Sequence, residues 1–155
     1  NLVTDGLPAM ALGVDPPERD VMRRKPRGKN ENVFSHGLGA KIMYRGLIIS
    51  LATLAAFIIT YLYSKSNLEL ARTAAFATLV MSQLLFVFEC RTEKTNVRWQ
   101  NPFGNLYLTL SVLISISMLF AVIYIPFFQP FFHTVALDIN ILLLVLGLAG
   151  LGAVI

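Results

Sequence analysis

The sequence predicts an all-α, integral membrane helical bundle, and three observations lead there. Of the 155 residues, 55% are hydrophobic and only 14% charged, where a soluble domain ordinarily carries about a quarter charged residues. Mean hydropathy is +0.65. Apolar residues gather into four blocks of helix length rather than short alternating runs, so the bundle is expected to be helical throughout. The length suits one unit, with no internal repeat to suggest an array. The single cysteine, Cys90, has no partner for a disulfide or a CxxC metal site. With Asn1 in place of an initiating Met and an apolar run from Gly147 to Ile155, the chain reads as a fragment of a longer one.

Gly46 to Tyr63 forms the first block, eighteen residues without a charge. As a helix it is about 27 Å long, close to the roughly 30 Å hydrocarbon thickness. Thr73 to Phe88 has sixteen uncharged residues between Arg72 and Glu89, so it spans only if its charged ends snorkel or the bilayer thins. Asn105 to Ile125 is rich in Leu, Ile and Ser and stops at Pro126. The Phe127, Phe128, Phe131 and Phe132 cluster that follows suits an interface, as do Trp99, Tyr107 and Tyr124. Ile139 to Ile155 reads as a fourth span cut short, in which Gly147, Gly150 and Gly152 are expected to let a neighbouring helix approach closely.

Basic residues fix an orientation, because Lys and Arg accumulate on the cytoplasmic side of short loops. Eight lie between Asp15 and Arg45, and the later loops carry two, three and none. This alternation predicts that the Arg19 to Arg45 cluster is cytoplasmic, with 64–72 and 127–137 outside. Attraction to anionic lipid headgroups accounts for most of the net charge of +4 without any nucleic acid.

The first thirteen residues, Asn1-Leu-Val-Thr-Asp-Gly-Leu-Pro-Ala-Met-Ala-Leu-Gly13, are largely apolar yet carry three oxygen-bearing side chains. Asn1, Thr4 and Asp5 stand at i, i+3 and i+4, which brings them to one face of a helix. Pro8 has no N–H to return to the Thr4 carbonyl, and Gly6 lowers the cost of unwinding, so an interrupted helix is expected here. Carbonyl and side-chain oxygens would then share one spot, as hard cations such as Ca²⁺ require. A carboxylate at membrane depth marks a functional site. The competing interpretation of the same residues is an exposed turn before a soluble helix, with Asp5 as its N-cap. Physical chemistry alone leaves the two about level.

NLVTDGLPA followed by ALG, then DPPE and a basic stretch ending in Lys25-Pro26-Arg27, resembles the sixth transmembrane helix and following cytoplasmic loop of type II P-type ATPases, closest to the calcium-transporting branch. Residues 1–27 carry the resemblance strongly; the rest is similar in span number, span length and loop character. It implies that Asn1, Thr4 and Asp5 contribute oxygens to a transmembrane metal site, Asp5 above all. Where two-site pumps present a glutamate on the eighth helix, this chain has Gln83, which implies one Ca²⁺ per cycle, with Gln83 offering one neutral oxygen. An amide bridging packed helices is the alternative for Gln83, and Glu89 is expected to be a solvated or Arg-paired helix end. The loop from Val14 to Asn30 resembles the segment that meets the phosphorylation domain, with Asp15, Glu18, Asp20 and the nearby arginines as contacts.

The resemblance thus divides the chain into 1–13, the end of an ion-binding helix; 14–45, a basic cytoplasmic loop; and 46–155, a four-helix C-terminal region. It implies a fragment of an ATP-driven Ca²⁺ transporter, a multi-pass protein of the plasma membrane, with proton counter-transport. Its partners are lipid and the missing helices and phosphorylation domain of the same parent. The chain lacks an Asp-Lys-Thr-Gly motif, a GxxxxGK[ST] loop and a GxGxxG loop, so ATP and Mg²⁺ are expected on other domains of that parent. His36 and His133 fall in loops on opposite sides, too far apart for a shared metal. A pump for Mn²⁺ or Na⁺, or a non-catalytic membrane scaffold, are the alternatives.

Overall fold

The computed structural model describes residues 2–15, 38–90 and 105–154, and side chains for 6–15, 38–88, 90 and 105–151. Helices α1 (Leu2–Gly13), α2 (Leu38–Tyr63), α3 (Leu68–Glu89), α4 (Leu106–Tyr124), α5 (Gln129–Phe132) and α6 (Ile139–Val154) follow in order, with no strand among the described residues. Helices α2, α3 and α4 are long and apolar enough to cross a membrane, while α6 is a shorter apolar helix.

Two boundaries lie well ahead of the charge-free blocks. Helix α2 begins at Leu38, so Lys41 and Arg45 sit on its first turns rather than in a loop; long basic side chains can lay their stems along apolar surface and leave the charge at the interface. Helix α3 begins at Leu68, where the Asn67 side chain accepts a hydrogen bond from the Leu70 N–H at 3.2 Å. Glu69 and Arg72 therefore ride on its first turns, and the 22-residue helix spans without a thinned bilayer.

Helix α3 is the centre, packed against α1, α2, α4 and α6. Small side chains make this possible: Ala71, Ala74 and Ala77 are buried with Val80 and Leu84, and such residues let helix backbones approach in lipid. Helix α6 answers with Ile141, Val145 and Ala149, one residue every turn. Gly147 and Gly150 of α6 do not serve this purpose, because a Cβ added at either meets nothing within 4 Å. Ala149 holds the contact instead. Helix α2 turns Leu47, Leu51, Leu54, Ile58 and Leu62 outward as an exposed apolar row. Hydroxyl groups inside the helices largely return to their own backbone, as Thr78 does to the Ala74 carbonyl at 2.8 Å and Ser111 to Leu108 at 2.8 Å.

Side-chain contacts fix the helix directions. The guanidinium of Arg45, near the start of α2, lies 5.9 Å from the centre of the Phe86 ring, near the end of α3, so the two are antiparallel. The Val135 N–H, beyond the end of α4, donates to the Thr73 hydroxyl near the start of α3 at 3.1 Å. Helix α4 therefore runs opposite to α3, and its first residue lies at the same end as the last of α3. At the other end the α4–α6 connection is pinned back to α4: Thr134 Oγ1 donates to the Val122 carbonyl at 2.6 Å and Gln129 Nε2 to Ile123 at 2.7 Å. His133 closes α5 in the left-handed region (φ 53°), exposed, together with Phe127, Phe131 and Phe132. Its proposed non-partner His36 lies outside the described residues.

Candidate cation site on the first helix

Helix α1 is continuous from Leu2 to Gly13 with Pro8 inside it, so the expected unwinding at Gly6 and Pro8 does not occur. A proline in a helix interior forfeits one backbone bond and crowds the preceding turn. Here its ring is fully buried, and packing holds the turn in helical form. The lost bond remains lost: Pro8 offers no N–H to the Thr4 carbonyl. That oxygen keeps its acceptor capacity without any break in the helix.

Thr4 and Asp5 lie on the first turns of α1, and Asn1 lies outside the described residues, as do the side chains of Thr4 and Asp5. Helix α1 packs against α4 and α3, which places the helix carrying Asp5 beside the helix carrying Gln83. Gln83 is half buried, and its Oε1 is a buried acceptor with no hydrogen-bond partner among the described residues. Ser82 Oγ beside it in sequence is likewise buried and unpartnered. Buried polar atoms ordinarily find partners, so an orphan carbonyl oxygen is the kind of group a cation site retains. The Gln83 oxygen does not serve as a bridge between the described helices. Among the described residues no three His, Cys, Asp or Glu gather in one place; a cation cage would draw its remaining ligands from elsewhere.

At the far end of α1 the structure reveals a contact that the sequence does not announce. Asn105 is 4% exposed. Its Nδ2 donates to the Ala11 carbonyl at 3.0 Å and to Asp15 Oδ1 at 2.9 Å, and its Oδ1 accepts the Leu108 N–H at 3.0 Å. Asp15 is therefore engaged with the start of α4. An Asn before an apolar run is a legible N-cap signal, but no local pattern gives away partners 90 and 94 residues distant.

A family model described as cation transporting ATPase, C-terminus, matches residues 1–155, and the chain belongs to that family. It is 55% identical over 151 residues to a calcium-transporting ATPase of Bacillus subtilis (strain 168), covering 97% of this chain and 17% of the relative. It is 36% identical over 155 residues to calcium-transporting ATPase 1 of Bacillus cereus, covering 90% and 17%. With calcium-transporting ATPase 1 of Lactococcus lactis it shares 35% over 132 residues, 85% of this chain and 15% of the relative. The chain thus spans about a sixth of the length of the curated relatives it matches.

Proposed function

We propose that this chain is the C-terminal membrane portion of an ATP-driven Ca²⁺ transporter, in which Asn1, Thr4 and Asp5 of the first helix, with Gln83, supply part of the intramembrane site for the transported ion. The observation that carries this reading is α1 itself: an apolar helix packed on α3 and α4 that has a hydroxyl and a carboxylate in its sequence one turn ahead of a proline. Charge of that kind is costly in lipid unless a cation answers it. Asp5 supplies the anionic oxygens, and Thr4 adds a hydroxyl and the carbonyl that Pro8 leaves free. Gln83 adds a neutral oxygen. One carboxylate and neutral oxygens suit a single divalent ion better than two. Names of the relatives favour Ca²⁺ over Mn²⁺ or Na⁺, and favour a pump over a passive scaffold.

ATP and Mg²⁺ belong to parts of the parent outside this chain, which this reading makes its partner together with membrane lipid. The end of the bundle where α1 and α3 finish and α4 starts is assigned to the cytoplasm. The basic segments that join the helices there carry Arg19, Arg23, Arg24 and Arg91 among others, against Lys65 and Arg72 at the opposite end. The plasma membrane is the proposed location. Outward release of the ion exposes the Asp5 carboxylate, which then takes up a proton and carries it inward; Ca²⁺ uptake into pH-clamped vesicles without accompanying proton movement would remove that step.

Asp5→Asn in the full-length transporter provides the central test. The substitution preserves size and removes the charge. It is expected to abolish Ca²⁺-dependent phosphorylation by ATP, a fall of about a hundredfold or more, comparable to losing a charged ligand interaction of about 3 kcal/mol. Unaltered Ca²⁺ dependence would reject the assignment of Asp5 as a ligand.

A further inference from the structure

The geometry points to Asn105 as a positioning residue for the cation helix, one that clamps the cytoplasmic end of α1 to the first turn of α4 and so holds the Thr4–Asp5 turn in its high-affinity setting. This rests on the transporter reading for what it affects, though the clamp is defined by hydrogen bonds alone. The last carbonyls of a helix have no N–H from a following turn. In α1 the Asp15 N–H, which would serve the Ala11 carbonyl in a longer helix, goes to Leu12 at 3.2 Å. Ala11 turns to Asn105 instead, at 3.0 Å. One buried amide thereby ends α1 and begins α4, because its oxygen caps the Leu108 N–H while its two N–H groups hold Ala11 and the Asp15 carboxylate.

Every side-chain hydrogen of Asn105 is committed, and the residue is 4% exposed, so water cannot readily replace it. The bond to Asp15 ends on a carboxylate oxygen rather than a backbone carbonyl. From Ala11 to Asp5 the helix rises only about 9 Å, six residues at roughly 1.5 Å each. A continuous helix transmits displacement at one end to the other, and α1 has no break at Pro8 to absorb it. The hydrogen bonds of the Asn105 side chain go to Ala11, Asp15 and Leu108, none of them a proposed ligand of the ion. Its effect is through the placement of α1.

Cap and clamp separate by substitution. Asn105→Ser keeps a good N-cap for α4 but is too short to reach Ala11 and Asp15. Asn105→Asp keeps the cap and the shape while setting a carboxylate against an oxygen at each of its former acceptors. In the full-length transporter, both are expected to reach wild-type phosphoenzyme levels at saturating Ca²⁺ while the half-saturating Ca²⁺ concentration rises about fivefold for Ser and further for Asp, a coupling of ordinary size between linked sites. Combining Asn105→Asp with Asp15→Asn restores the bond between the two residues with donor and acceptor exchanged, and is expected to recover most of the shift seen for Asn105→Asp alone. Amide exchange at Ala11 to Asp15 is expected to quicken in Asn105→Ser.

An unchanged half-saturation in Asn105→Ser overturns the proposal, as does a lower maximum with no shift, a double variant no better than the single, or unchanged amide exchange. Should Asp5→Asn keep its Ca²⁺ dependence while amide exchange still quickens in Asn105→Ser, the transporter site fails and the clamp survives. The reverse pattern sinks the clamp alone.

Discussion

Helices α1 and α3 lie side by side and are held in opposite ways. Helix α3 is surrounded by four others and held by buried Ala, Val and Leu, so its position is the summed effect of many small contacts. Helix α1 buries Pro8 and Ala11, and its C-terminal end is tied by one amide to a carbonyl and a carboxylate. Distributed apolar packing resists displacement from every side. A few directional bonds can be remade in a second arrangement, and the proposed role of α1 in gaining and losing an ion needs that freedom more than the role of its neighbour does.

The largest contrast expected between the two is in what a single substitution harms. Asp5→Asn in α1 removes transport and leaves the fold; Leu84→Ala in α3 does the reverse. Leu84 is 2% exposed, and truncation there is expected to lower stability by about 2–4 kcal/mol. Thermal inactivation of the detergent-solubilised transporter measures this, with half-saturating Ca²⁺ unmoved in the protein that survives. A shift in Ca²⁺ dependence comparable to that of the α1 variants would break the division.

Gln83→Leu gives a smaller and sharper result. Removing an orphan buried oxygen is expected to leave stability unchanged or slightly raised, while half-saturating Ca²⁺ rises about threefold to tenfold as one neutral ligand is lost. Lower stability with unchanged Ca²⁺ dependence would return Gln83 to the role of an amide bridging packed helices. It would also make α3 wholly a packing element.

The four apolar blocks were legible because hydrocarbon imposes a minimum length on a spanning helix. Helix starts were not, since hydropathy registers where lipid is needed rather than where helix geometry ends: Lys41 and Arg45 are as helical as the leucines after them. Pro8 misled for a related reason. Its local cost is real, but burial of the ring overrides it. In α6 the sequence drew attention to glycines, whereas contact is made by Ala149, a residue with no distinguishing local signal. Asp5 and Thr4 stand out as oxygen-bearing residues in an apolar run. Asn105 announced only its cap, because the other half of its bonding crosses to residues far back in the chain.

The link between α2 and α3 is a single turn, Ser64 to Asn67, closed by Lys65 and Ser66 at φ 52° and 72°. So short a turn makes the pair one object during synthesis. Mean hydropathy is 2.0 for the strongest stretch of α2 and 1.6 for that of α3, the second being diluted by Thr73, Thr78, Ser82 and Gln83. A nascent hairpin partitions into lipid by the sum of its two arms, so the greasier arm carries the more polar one with it.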